Sequence, residues 1–259
     1  MLPILNVGPL ALPVPALVII AGIWISIYLS ERYARRFGLS AGSISNLILL
    51  MLLFVLLGAR FSYITRYPEA FIQNPLDILS RNPGLLDPWG GIAMAIITGF
   101  IYGQRKRLPF WTTLDVLTPG FAALAISIGF ANLASGDAFG KPTDLPWAIY
   151  LWGDLRHPTQ IYEIILFGVL LGVILTNMKT WVAAKAGLLF LTFLAGAAAI
   201  DLLVEAFIED SLLFIQTYRS MQVIAWLVLA LSLWGIRERL GKDTGTNQIT
   251  NNESPKEIT

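Results

Sequence analysis

Leu47-Ile48-Leu49-Leu50-Met51-Leu52-Leu53-Phe54-Val55-Leu56-Leu57-Gly58-Ala59 holds no charged side chain and is closed by Arg60. With its flanks it makes an apolar stretch over residues 43–64. A helix needs about 20 largely apolar residues to cross roughly 30 Å of hydrocarbon, and a helix satisfies its own backbone there. Six further stretches qualify or nearly do: 10–30, 89–104, 112–134, 159–177, 184–208 and 219–237. The one at 89–104 is short and opens Trp89-Gly90-Gly91, so it spans only by leaning on neighbours. Pro13 and Pro15 fall near the start of the first, where a missing N–H costs little. No stretch alternates in the ten-residue pattern of an outer-membrane barrel. The expected fold is an all-α integral membrane protein: a seven-span helical bundle over residues 1–239, then a disordered cytoplasmic tail over 240–259.

Composition agrees. Of 259 residues, 56% are hydrophobic and 14% charged, with mean hydropathy +0.67. Soluble domains carry about a quarter charged residues. The balance excludes a disordered chain and a disulfide scaffold, and a net charge of +1 leaves no electrostatic footprint for nucleic acid. Without cysteine there is no thiolate nucleophile and no Cys-ligated metal, and His157 is the single histidine. No metal and no cofactor are expected. No internal repeat is visible.

The first span has no basic n-region, and its positive charges (Arg32, Arg35, Arg36) follow the apolar run, so it reads as a retained helix rather than a cleaved signal. On one side fall Arg32, Arg35, Arg36, Arg105, Lys106, Arg107, Lys179, Lys185, Arg237, Arg239 and Lys242. On the other fall Arg60, Arg66, Arg81, Lys141, Arg156 and Arg219. Eleven against six puts the N-terminus outside and the C-terminus in the cytoplasm. Two outer segments are long enough to hold structure. Pro68 to Pro83, with Phe71, Ile72, Leu76, Ile78 and Leu79, suggests an amphipathic helix at the interface. Residues 135–158 read as a turn-rich loop with Trp147 and Trp152 at headgroup depth.

Ionisable groups inside a span are functional candidates, because hydrocarbon solvates them poorly. Asp201 and Glu205, four apart on one helix face, read either as a proton acceptor with a neutral neighbour or as packing partners of Arg60 or Arg219. Arg60 reads as a holder of lipid phosphate or as a snorkelling anchor. Asn132, Asp137 and Gly140 close the fourth span, as interhelical glue and turn or as a close approach to a headgroup. Arg156-His157-Pro158-Thr159-Gln160-Ile161-Tyr162-Glu163 opens the fifth, dense in polar groups. Histidine is the side chain whose ordinary pKa suits proton transfer near neutrality.

At these residues the chain resembles the bacterial phosphatidylglycerol–prolipoprotein diacylglyceryl transferase family, over roughly residues 5–225. The main anchor is Arg156 to Glu163, close to the family's R-H-P-[ST]-Q-L-Y-E run. Gly8-Pro9-Leu10-Ala11-Leu12, Leu57-Gly58-Ala59-Arg60-Phe61-Ser62-Tyr63, Asp87-Pro88-Trp89-Gly90-Gly91 and Leu145-Pro146-Trp147-Ala148-Ile149 support it. Asn132, Asp137 and Gly140 echo the signature R-x-G-N-F-x-N-x-E-x-x-G, and Val204-Glu205 echoes F-R-x-x-V-E-F. The resemblance implies a multi-pass protein of the bacterial inner membrane. Its partners would be phosphatidylglycerol, or a similar anionic lipid, and the signal peptide of a lipoprotein precursor. It further implies catalytic roles for His157, Glu205 and Asp137, with Arg60, Asn132, Gly140, Tyr162 and Asp201 at the substrate.

The chain departs from that pattern where the family is cationic. The histidine before Gly-Gly is Trp89, the signature arginine is Gly129, and the arginine four residues before Glu205 is Asp201. The first-span tyrosine falls at Pro15, and the signature glutamate is shortened to Asp137. A missing transition-state donor commonly costs 100- to 1000-fold in rate, so two absent cations imply a loss of about four powers of ten if their effects add. Three readings follow: an impaired transferase; a non-catalytic lipid- or lipoprotein-binding membrane protein; and, more weakly, a small-solute carrier using Asp201 and Glu205.

Overall fold

A computed structural model describes residues 3–7, 10–80, 82–209, 213–214 and 218–250. Of the tail expected over 240–259, residues 240–250 continue the last helix and only those beyond Thr250 lie outside the described residues, as do Arg81, the Gly8-Pro9 pair and the Arg219 side chain. The chain is mostly helical. Its elements run β1 (Ile4–Val7), β2 (Leu10–Pro13), α1 (Val14–Arg36), α2 (Ala41–Arg66), α3 (Pro68–Gln73), two 3₁₀ turns (Pro75–Leu79, Pro83–Leu85), α4 (Pro88–Arg105) and α5 (Phe110–Ser135). They continue β3 (Ile149–Leu151), β4 (Asp154–Arg156), α6 (Thr159–Ala184), α7 (Leu188–Glu205), β5 (Leu213–Phe214), β6 (Tyr218–Arg219) and α8 (Ser220–Thr250).

Among the described residues, five helices are long and apolar enough to cross a membrane: α1, α2, α5, α7 and, in α6, Thr159–Met178. This is a multi-pass membrane protein, as its composition requires. The helices α4 and α8 occupy the other two expected positions without meeting that measure. The first helix starts at Val14 rather than at residue 10, because Leu10–Pro13 pairs antiparallel with Ile4–Val7. The outer loop at 135–158 holds the hairpin β3–β4, and its tight turn places Trp152 (φ 53°) and Gly153 (φ 87°) in the left-handed region.

By internal contacts the chain divides into two units, residues 29–116 and residues 1–28 with 117–259. In the first, α2 packs on α4 through small residues. A Cβ added at Gly90 would fall 2.1 Å from Ser62 Cβ, and one at Gly58 would fall 2.7 Å from the Gly90 carbonyl oxygen. The Asp-Pro-Trp-Gly-Gly run is thus a packing device. Asp87 caps α4 by accepting from the Trp89 N–H (3.1 Å) and ties it to α2 by accepting from Ser62 Oγ (2.6 Å). That hydroxyl, with the Trp89 N–H and the Arg66 charge, holds the Asp87 carboxyl below the usual carboxylate range. The cap is therefore strongest at neutral pH and weakens as pH falls and the carboxyl protonates. Phe71 of α3 is buried and meets the Tyr63 ring edge-on, 6.2 Å between centroids. Ile72, Leu76 and Leu79 stay exposed beside it, an apolar face on the segment expected to be amphipathic.

In the second unit, α7 lies between α6 and α8, and Phe121 of α5 stacks on Phe193 of α7 at 6.2 Å. The end of α5 is set by Gly136 (φ 86°). The N–H groups of Gly136 and Asp137 both return to the Asn132 carbonyl, at 2.8 and 3.1 Å, a C-cap with glycine in the left-handed region.

Candidate functional site

Three separate stretches meet beyond the end of α5 and at the start of α6. Residues 136–143 pair with 206–209 on one flank: the Lys141 N–H donates to the Phe207 carbonyl (2.8 Å), and Lys141 Nζ to the Ala206 carbonyl (2.9 Å). On the other flank the His157 N–H donates to the Lys141 carbonyl (3.0 Å), and the Thr143 N–H to that of Leu155 (2.9 Å). The start of α6 is locked down by side chains. Thr159 Oγ1 donates to the Ala138 carbonyl (2.6 Å), and Gln160 Nε2 to that of Asp137 (2.7 Å). Arg156 pairs with Glu209, donates to the Leu151 carbonyl (3.1 Å) and lies over the Phe139 ring. Its charge holds the hub together.

His157 is half-buried in this hub. Its Nδ1 lies 3.3 Å from the Tyr162 hydroxyl, which accepts from Trp147 Nε1 at 2.9 Å. Phe207 packs against the His157 ring at 5.0 Å and the Tyr162 ring at 6.1 Å. Two motifs far apart in sequence, the Leu145–Ile149 run and the Arg156–Glu163 run, therefore converge on one imidazole.

Next to the hub in sequence lies a cavity of about 370 Å³. Glu163, one residue past Tyr162, lines it, as does Ile208, one residue past Phe207. Asp201 and Glu205 from α7 also face it; the rest of the lining is apolar, from α7, α8 and the segment after α7. Three carboxyl groups thus share one chamber, and among the described residues no Lys, Arg or His lines it. Among the described residues no group of three His, Cys, Asp or Glu side chains forms a metal site.

Asn132 and Asp137 act here through their main chains, at the cap of α5 and as acceptor for Gln160, while the Asp137 side chain is exposed. Gly140 is buried, and a Cβ there would sit 2.4 Å from the His157 carbonyl oxygen and 2.6 Å from His157 Cβ. It is His157 that comes close to this glycine. Gly129 packs against α6, with Ile164 Cγ1 only 2.8 Å from an added Cβ, so a side chain there requires Ile164 to shift. Trp89 begins α4 in the other unit and is exposed.

Arg60 also belongs to the other unit. Its Nε donates to the Ile78 carbonyl (3.0 Å), its η nitrogens to those of Leu85 (3.0 Å), Asp77 (2.6 Å) and Ser80 (2.8 Å). Four of a guanidinium's five N–H bonds are spent on the 3₁₀ turns. Arg60→Ala should raise amide exchange across residues 75–85 at least tenfold, since each charge-assisted bond is worth about 1.5–3 kcal/mol and 1.4 kcal/mol is already tenfold. Exchange monitored by mass spectrometry in lipid nanodiscs reads this directly; unchanged protection there would return Arg60 to ligand duty.

Glu163 was within reach of sequence reasoning, since it stands one turn inside a span, where a carboxylate is expensive. Asp115, fully buried in α5, answers to the same rule.

A family model described as prolipoprotein diacylglyceryl transferase matches residues 3–237. A phosphatidylglycerol–prolipoprotein diacylglyceryl transferase of Bordetella parapertussis is 30% identical over 89% of this chain and 91% of its own length. Proteins of the same description from Nostoc sp. and Synechococcus elongatus are 27% and 26% identical, each over 90% of this chain and 87% and 85% of their own lengths.

Proposed function

We propose that this chain, which belongs to the prolipoprotein diacylglyceryl transferase family, transfers the diacylglyceryl group of phosphatidylglycerol to the lipobox cysteine of a lipoprotein precursor, slowly. It does so in the bacterial inner membrane, with seven spans, the N-terminus outside and the C-terminus in the cytoplasm. The asymmetry of lysine and arginine supports that orientation. The observation that carries the reading is convergence: runs matching the family in order fold onto one hub at the ends of α5, α6 and α7, beside a cavity.

The reaction sets clear demands. The cysteine sulfur attacks the glyceryl carbon, and a C–S bond forms. The bond from that carbon to the phosphate oxygen breaks, its electrons go to the oxygen, and glycerol phosphate leaves. The thiol proton passes to a carboxylate, Glu205 in this reading, which is buried on α7 and lines the cavity. His157 and Tyr162, at the start of α6, meet the lipid headgroup. Asn132, Asp137 and Gly140 keep the loop that carries them in register. Asp201 stands where the family pattern has a cation, and it repels the leaving phosphate, which is why transfer is slow.

Purified protein in phosphatidylglycerol nanodiscs, given a lipobox peptide, should add a diacylglyceryl mass to the cysteine. The rate should fall several powers of ten below that of the Bordetella relative run alongside. No product after a time course lengthened, relative to the Bordetella protein's, beyond the expected loss of about four powers of ten would defeat the proposal. It would leave the reading favoured by the all-carboxyl lining: a non-catalytic member that binds lipid or lipoprotein.

A further inference from the structure

We infer that Tyr162 and Trp147 are positioning residues that fix the ring of His157 in the tautomer with its proton on Nε2, so that His157 offers a substrate an N–H rather than a lone pair. The reasoning starts from the one unambiguous donor. An indole N–H has no acceptor capacity, so at 2.9 Å Trp147 Nε1 donates and Tyr162 Oη accepts. A phenolic oxygen that accepts becomes a better donor through its own hydrogen, because hydrogen bonds in a chain polarise one another. That hydrogen has a partner 3.3 Å away in His157 Nδ1. The alternative, Nδ1–H donating to Tyr162, would load two donors onto one phenol oxygen and leave the better donor of the pair unused.

With Nδ1 accepting, the neutral ring carries its proton on Nε2, which has no hydrogen-bond partner among the described residues. Phe207, packed against both rings, restrains the imidazole from flipping to exchange the two nitrogens. The chemical class of group that Nε2–H recognises is an oxygen acceptor, the phosphate or ester oxygen of a lipid headgroup. This last step rests on the proposed function. It also removes His157 from the role of general base through Nε2 and passes that role to the carboxylates of the cavity.

His157 is the chain's only histidine, so ¹⁵N-histidine labelling of the whole protein gives a single pair of ring signals. At alkaline pH in nanodiscs of phosphatidylcholine, the spectrum should show an unprotonated Nδ1 and a protonated Nε2, told apart by their couplings to the ring protons. Tyr162→Phe should shift population to the other tautomer and Trp147→Phe should do so partly, while Tyr150→Phe, on an exposed hairpin side chain, should change nothing. A protonated Nδ1 in the parent protein, or an unchanged spectrum in Tyr162→Phe, would overturn the inference. Exchanging the lipid for phosphatidylglycerol should then move Nε2 and leave Nδ1 in place; movement of Nδ1 instead would count against the donor role. The first spectra involve no turnover, so they stand or fall apart from the transfer assay.

Discussion

Asp201→Arg is expected to accelerate diacylglyceryl transfer at least 100-fold, measured as initial rate of peptide modification in phosphatidylglycerol nanodiscs. The substitution replaces a negative by a positive charge, a change of two units. Roughly 6 Å from a phosphate, at an effective dielectric of about 20, each unit is worth about 2.8 kcal/mol. Even half of the resulting sum amounts to two powers of ten in rate. Space is the second part of the argument. Asp201 is exposed on α7 and borders a cavity of about 370 Å³, so a long side chain can extend there. Glu205, one turn away on the same face, and Glu163 across the chamber would hold the new guanidinium in place. The other missing cation cannot be restored so easily, because at Gly129 the first side-chain carbon already meets Ile164 at 2.8 Å. A folded Asp201→Arg protein with the parent's rate would mean that the phosphate never approaches this chamber. The slow transfer proposed here would then need another cause.

How far the chain could be read without coordinates follows from which interactions are periodic and which are not. Apolar runs longer than about 18 residues announce helices because hydrocarbon leaves the backbone no alternative. Five of the described helices, α1, α2, α5, α6 and α7, accordingly meet that measure where such runs lie. Asp201 and Glu205 also behaved as their spacing implied, sharing a face and a cavity. The hairpin β3–β4 escaped because each strand is three residues long and its turn is Trp152-Gly153 rather than an asparagine–glycine pair. Arg60 escaped for a different reason. Its four acceptors are main-chain carbonyls 17 to 25 residues away, and carbonyls leave no mark on a sequence. The same holds for Asn132 and Asp137, chosen for their side chains but engaged through their backbones. Motif likeness located the hub; only the fold says which atom of each residue does the work.

Gly140 puts that distinction to its sharpest test. Gly140→Ala adds one carbon, with no charge and no new rotamer, yet the carbon would lie 2.4 Å from the His157 carbonyl oxygen and 2.6 Å from His157 Cβ. These are backbone and near-backbone atoms, so no side-chain tip can swing aside. Relief requires the 136–143 segment to separate from 155–157. That separation stretches the His157 N–H bond to the Lys141 carbonyl and the Arg156 bond to the Gly140 carbonyl, and it disturbs the bridge of Gly140 to Ile208. Overpacking a tight site costs about 1–3 kcal/mol and each lost hydrogen bond about 1 more, so a total near 3 kcal/mol is expected. Thermal unfolding in a fixed detergent should show a clear drop for Gly140→Ala. Gly168→Ala, in α6 with nothing within 4 Å of its added carbon, should hold or gain stability, since alanine is the better helix former. Below the unfolding temperature, the displaced imidazole should also lose the bond to Tyr162, and the ¹⁵N signature of Nδ1 should move. An alanine at 140 that leaves both the melting curve and the histidine spectrum untouched would show that the close approach on which the hub is built does not exist.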